Sequence, residues 1–311
     1  MRKIVVGTRG SKLAMTQTKW VIGELKKAGV KNDFELREIQ TKGDRILDVA
    51  LSKVGGSNIF TKEIEQAIYD QEIDFAVHSM KDLPSVEPDG LVIAAIPERE
   101  DPRDAYIAKD HVALNDLPEE AIVGTSSLRR VAQITAIRPD VKTKWIRGAI
   151  DARLKKLHEE DYDAIILAVA GLKRLGLDDA ITEYLPVESF IPSVGQGALA
   201  IECRSDDHEL RDILSNVDHE SARSTITAER EFLDILQGDD QFPLGAYAYV
   251  DHDEIVLHAT VLNIEGNTEL KGIARGTDPI AVGTEAANQL IKQGAKDIIA
   301  AVKEKLDKVN L

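Results

Sequence analysis

Three short stretches carry residue types that can do chemistry. In HSMKDLP, Asp82 adjoins Lys81 and is followed two residues later by Pro84, which restricts the local chain. A carboxylate held among cations can stabilise a cationic intermediate and move a proton; as a surface Lys–Asp pair it would do neither, and spacing alone weighs the two equally. In GTSSLRR, Ser126 or Ser127 can cap a helix whose free amides face outward, with Arg129 and Arg130 in its first turns. Cations there oppose the helix dipole, a conflict that a bound carboxylate or phosphate relieves. In LQGDDQFPLGAYA, Asp239 and Asp240 stand side by side, readable as metal ligands, a proton-sharing pair or solvated turn residues.

These stretches need elements to position them. KIVVG (3–7), IDFAVHS (73–79), LVIAAI (91–96), AIVGTSS (121–127), YDAIILAVAG (162–171) and ALAIECR (198–204) are short, apolar and bounded by turn residues, as buried strands are. Amphipathic stretches alternate with them, among them SKLAMTQTKWVIGELKKAG, which ends at a glycine cap, Gly29. The pattern predicts α/β units with largely parallel sheets. Ligands of such sheets bind beyond the carboxyl ends of the strands, where Arg9, Ser11, Lys81, Asp82, Ser127, Arg129 and Arg130 fall. Arg147 and Arg153 also fall at strand ends or helix starts, and the set together points to a small polyanion. After about residue 217, runs separated by DHDE and EGN read as an antiparallel meander, followed by a helical tail.

Composition narrows the class. The 311 residues exceed one small core, and 43% hydrophobic with 30% charged residues is a globular balance. A net charge of −15 argues against non-specific nucleic-acid or acidic-membrane binding. The start MRKIVVGTRG reads as neither signal peptide nor membrane anchor, which predicts a cytoplasmic protein. The single cysteine, Cys203, excludes an internal disulfide and a cysteine-cluster metal site. His78 sits at strand pitch and reads as a packed, hydrogen-bonded residue; no metal-ligand spacing emerges.

VGTRGSKLAMTQ, HSMKDLPS, EREDPRDA, GTSSLRR, IRGAIDARL, YDAIILAVAGLKRLGL, VGQGALAIECR and TAER, in this order, resemble the hydroxymethylbilane synthase (porphobilinogen deaminase) family over essentially the whole chain. The resemblance implies two α/β domains like the lobes of type II periplasmic binding proteins plus a small C-terminal α+β domain. The expected boundaries are 1–98 with 198–216, 103–192, and 217–311 with a cofactor-attachment loop at 236–245. It also implies a transferase of haem biosynthesis, acting as a monomer without nucleic-acid or membrane partners. Four porphobilinogen units would be joined head to tail on a dipyrromethane cofactor, with loss of ammonia, giving hydroxymethylbilane.

Carried over position by position, Asp82 would assist deamination. Lys81, Ser127, Arg129, Arg130 and Arg147 would bind cofactor carboxylates, and Arg9, Ser11, Arg147, Arg153, Phe60 and Gln196 would bind substrate. Residues 43–58 would form a lid. The sequence departs from the family where it matters most: Asp239 takes the place of a glycine and Asp240 that of the cysteine whose sulfur carries the cofactor. A thiolate attacks the electrophilic carbon derived from porphobilinogen and gives a stable thioether, whereas a carboxylate gives an ester, a better leaving group. Ser57, Asn58, Ala149 and Ala152 also replace usual residues. The expected function is therefore an impaired hydroxymethylbilane synthase, the alternative an inactive relative that binds anionic pyrroles or other polycarboxylates.

Overall fold

The computed structural model describes residues 2–45, 60–238 and 242–309. It builds two five-stranded sheets and one three-stranded sheet, each with its own helices. The first part runs β1 (Ile4–Thr8), α1 (Lys12–Lys27), β2 (Phe34–Glu38), the short α2 (Lys42–Arg45), α3 (Lys62–Tyr69), β3 (Phe75–Ser79) and β4 (Leu91–Ala95). The second runs β5 (Asp104–Ala108), β6 (Ile122–Gly124), α4 (Leu128–Ile137), β7 (Lys142–Lys144), α5 (Ile150–Glu159), β8 (Ala164–Ala168), α6 (Val169–Leu175) and β9 (Glu183–Leu185). The chain then returns through β10 (Leu199–Arg204) and α7 (His208–Leu214) to α8 (Glu220–Ile235), β11 (Leu244–Asp251), β12 (Glu254–Leu262), β13 (Glu269–Gly276), α9 (Pro279–Lys292) and α10 (Ala295–Val309).

The strand orders are β2-β1-β3-β10-β4 and β7-β6-β8-β5-β9. In each sheet one strand runs against the others: β10 is antiparallel to β3 and β4, and β5 to β8 and β9. The sheets are thus mixed, not simply parallel, and the reversed strand is in each case the one that has just crossed over from the other lobe. This is the two-lobed arrangement of type II periplasmic binding proteins, with a small α+β domain appended. Apolar side chains explain the layering: Ile4, Val6, Phe75, Leu199 and Ile201 form one core, Tyr106, Val123, Ile134 and Phe190 part of another. The meander β11–β13 buries its own cluster, including Phe232, Leu244, Leu257 and Leu290, against α8 and α9.

Two crossovers, 96–103 and 186–198, connect the lobes and lie against each other. Gly197 sits at φ +90 where an added Cβ would come within 2.3 Å of Glu100 O, so glycine is required there. Glu229 of α8 fastens the pair to the third domain. Buried at 0%, it binds Arg99 at 2.6 Å and accepts from the amides of Gly195 and Ala248, each at 2.7 Å.

Several boundaries differ from the sequence reading. The run 162–171 is half strand and half helix, because Val169 already begins α6; apolar content alone does not separate a buried strand from a buried helix start. The helical tail breaks in two at Gly294, which adopts φ +104.

Candidate functional site

The site is assembled from residues that follow strands. Beyond β1, Arg9 lays its guanidinium over the Phe60 ring, 4.2 Å from the centroid, and Ser11 caps α1 by accepting from Ala14 N at 3.2 Å. Beyond β3, a 3-10 turn over Met80–Asp82 presents Lys81 and Asp82. Beyond β6, the cap of α4 is Ser127, which accepts from Arg130 N at 3.4 Å, while Ser126 is left facing the cleft. His78 is buried and pairs with Glu202 at 3.1 Å across β3 and β10, as its strand pitch suggested.

These groups converge on a cleft of about 440 Å³ between the lobes, lined by Arg9, Ser11, Phe60, Lys81, Asp82, Arg130, Arg147, Arg153 and Gln196. Lys12 and Arg174 also line it, giving, among the described residues, seven basic side chains against two acids, Asp82 and Asp151. In a chain of net charge −15 this concentration of positive charge selects an anionic occupant. Ser127 and Arg129 stand behind the wall. Arg129 is 1% exposed, donates to Ile191 O at 2.9 Å and Ser193 Oγ at 3.1 Å, and lies 2.7 Å from Asp104 Oδ2. It borders instead a void of about 20 Å³ shared with Lys81, Ser193, Phe242 and Leu244, between the second lobe and the third domain.

Burial sets the electrostatics. Desolvation, then the adjacent Arg130, lowers the Lys81 ammonium to about 8 against the opposing pull of Asp82 and Asp104. Desolvation brings Arg153 and Arg174 to about 10 and lowers Arg147 as well. Burial alone would raise the Asp104 carboxyl, but Arg129 and Arg130 hold it below the usual carboxylate range.

Sequence reading missed Lys12, Asp151 and Arg174 of the lining and Asp104 behind it. Arg174 reaches the cleft from α6 and donates to Gly197 O at 2.7 Å; its signal was the LKRLGL motif itself, which places a basic residue one turn before a capping glycine. Asp104 lies within EREDPRDA, and nothing local reveals that its partners are Arg130 and Gln196. Asp239, Asp240, Ser57 and Asn58 lie outside the described residues, as do positions 46–58 of the expected lid. At the described start of that lid, Gly43 packs against Phe60, where a Cβ would come within 2.2 Å of the ring. Ala149 sits at the N-cap of α5 with no side-chain cap, and its stretch borders the cleft. Among the described residues no His, Cys, Asp or Glu group has metal-binding geometry, and no helix is long and apolar enough to cross a membrane.

Two mixed α/β lobes around a cationic cleft whose lining includes Asp82, and an α+β domain fastened to the crossovers between them, define a two-lobed protein built for a small polyanion. A family model described as "Porphobilinogen deaminase, dipyromethane cofactor binding domain" matches residues 4–212, and "Porphobilinogen deaminase, C-terminal domain" matches 224–292. The chain is 63% identical over 308 residues to a porphobilinogen deaminase of Oceanobacillus iheyensis, covering 99% of this chain and 100% of that one. It is 56% identical over 309 residues to a porphobilinogen deaminase of Bacillus velezensis, covering 99% of each. Among solved structures, a YaeC-family lipoprotein of Enterococcus faecalis is 17% identical, over 71% of this chain and 93% of that one, with a TM-score of 0.43. The chain belongs to the porphobilinogen deaminase family, a family of transferases.

Proposed function

We propose that this chain binds porphobilinogen in the interlobe cleft and retains the deaminating condensation that leads to hydroxymethylbilane, with covalent priming weakened. The observation that carries the reading is the cleft itself, where, among the described residues, seven cations share the lining with Asp82. Porphobilinogen bears acetate and propionate groups and an aminomethyl cation. Arg9, Ser11, Arg147 and Arg153 are the groups proposed to take its carboxylates, with Lys81 and Arg130 holding those of a dipyrromethane and Phe60 and Gln196 flanking the chain of rings. Asp82 then faces the positive charge that develops as ammonia leaves: its carboxylate stabilises that charge and can carry the proton lost from the pyrrole carbon that attacks. The domains follow the three sheets, 1–98 with 198–216, 103–192 and 217–311. The protein is read as a cytoplasmic monomer.

A dipyrromethane, when bound, supplies the pyrrole carbon to which the first substrate unit is joined. The cationic wall fits its carboxylates; a thioether attachment does not fit this chain. Its one cysteine, Cys203, is 0% exposed inside β10, and burial pushes its thiol up to about 12. By the family resemblance the position of the cofactor cysteine falls to Asp240, whose ester would be labile. That substitution favours the second reading, a relative that binds anionic pyrroles without turning them over.

The deciding experiment is the intact mass of purified protein before and after incubation with porphobilinogen, with ammonia release followed in parallel and Asp82→Asn as control. Pyrrole-sized mass increments with ammonia release are expected, with the release slowed at least about 100-fold in the variant. An unchanged mass with porphobilinogen bound but no ammonia would establish the binding-only reading.

A further inference from the structure

We propose that Asp104 is a positioning residue for the cleft, a carboxylate in the second lobe that holds Arg130 in place and, through Gln196, fixes the partner of Lys81 in the first. The proposal deepens the reading above and rests on it. Asp104 begins β5 and is 0% exposed. Its Oδ1 accepts from Arg130 Nε at 3.0 Å, Arg130 Nη2 at 2.7 Å and Gln196 Nε2 at 3.0 Å, and Arg130 Nη1 donates to Ile166 O at 3.1 Å. The Arg130 guanidinium that lines the cleft is therefore fixed on three of its sides.

Gln196 extends the tie across the hinge. Its amide nitrogen is also held by Pro102 O at 2.8 Å, which orients the other amide atom: Oε1 accepts from Lys81 Nζ at 3.3 Å and Arg130 Nη2 at 3.4 Å. One carboxylate thus sets the direction of a guanidinium, an amide and, one bond further, an ammonium from the opposite lobe. It also balances charge. Arg129 and Arg130 together carry two positive charges and Asp104 removes one, so the cluster keeps a single net positive charge. An anion-binding site gains more from cations already aimed than from cations that must be ordered on binding.

The two roles, aiming and charge balance, make opposite predictions. Arg129→Met keeps the Asp104–Arg130 tie but removes one positive charge; Asp104→Ala with Arg129→Met removes the accepting oxygen and so breaks the tie but leaves the net positive charge of the unmutated cluster. Titration calorimetry with porphobilinogen is expected to show the single variant within about three-fold of the unmutated chain and the double variant at least about ten-fold weaker. The reverse order would show charge balance alone and overturn the proposal.

A second readout needs no ligand. Reductive methylation of Lys81, followed by peptide mass against pH, reports its protonation, which faces Asp82, Asp104, Arg129 and Arg130. In Asp104→Asn the labelling midpoint should move below about 8, because an attracting charge has gone. A midpoint that stays put would overturn the proposal, and one that climbs toward 10.5 would mark an unfolded variant, in which case Gln196→Leu, which keeps Asp104 and removes the amide that joins it to Lys81, takes its place in the calorimetry and is expected to bind at least about ten-fold more weakly, with unchanged binding overturning the proposal. If the unmutated chain fails to bind porphobilinogen, the reading of function falls, and the Lys81 midpoint still tests whether Asp104 acts on Lys81.

Discussion

At the scale of single residues, the cleft is a set of cations with unequal hold on their protons. Lys81 lets go first, at about 8, while Arg153 and Arg174 keep theirs to about 10. All remain charged at pH 7, and an anionic pyrrole meets the full set. Porphobilinogen affinity is accordingly expected to be level from pH 6 to 7 and to fall several-fold as pH rises through about 8, measured by calorimetry in a constant-ionic-strength buffer. A flat profile to pH 9 would remove Lys81 from the binding set. Arg9, Lys81 and Arg147 were legible in the sequence because each follows a strand by one to three positions. Asp104 was not: it is 92 residues from Gln196, and sequence spacing carries no information about a pair brought together only by the return of the chain.

At the scale of elements, α8 connects the site to the rest of the molecule. Its Glu229 receives Arg99 from one crossover, Gly195 N from the other and Ala248 N from β11. Glu229→Gln would leave the Arg99 guanidinium, 10% exposed, without a counter-charge. The expected cost is about 3–5 kcal/mol of unfolding free energy, read from the urea midpoint. A loss under about 1 kcal/mol would mean that solvent already screens the pair. Element type was largely readable: β-branched runs gave strands, and Ser11 and Ser127 gave helix starts. Strand direction was not. DAYIA and LAIECR are uniformly buried strands that read the same whichever way they run, and only the crossover connections turn β5 and β10 against their neighbours. Ala149 shows the converse: the helix forms without a side-chain cap because packing of Leu157 and its neighbours carries it.

At the scale of the whole molecule, the first lobe is completed by a strand that follows the whole of the second in sequence, and this sets an order of assembly. During synthesis the second lobe has every strand of its sheet once Leu185 has emerged, whereas the first waits for Leu199–Arg204 to fill the gap between β3 and β4. Until then two strand edges of the first lobe stand unpaired, the condition under which a nascent chain associates with its neighbours. Hydrogen exchange on nascent chains stalled before Leu199 emerges should find the amides of β5–β8 protected and those of β4 open, and protection of β4 at that stage would count against the order. The strand that closes the first lobe carries the chain's lone thiol, Cys203, sealed at 0% exposure in the finished fold. That sulfur is accessible only before the seam of the first lobe closes, so its reactivity is a clock for the completion of that lobe.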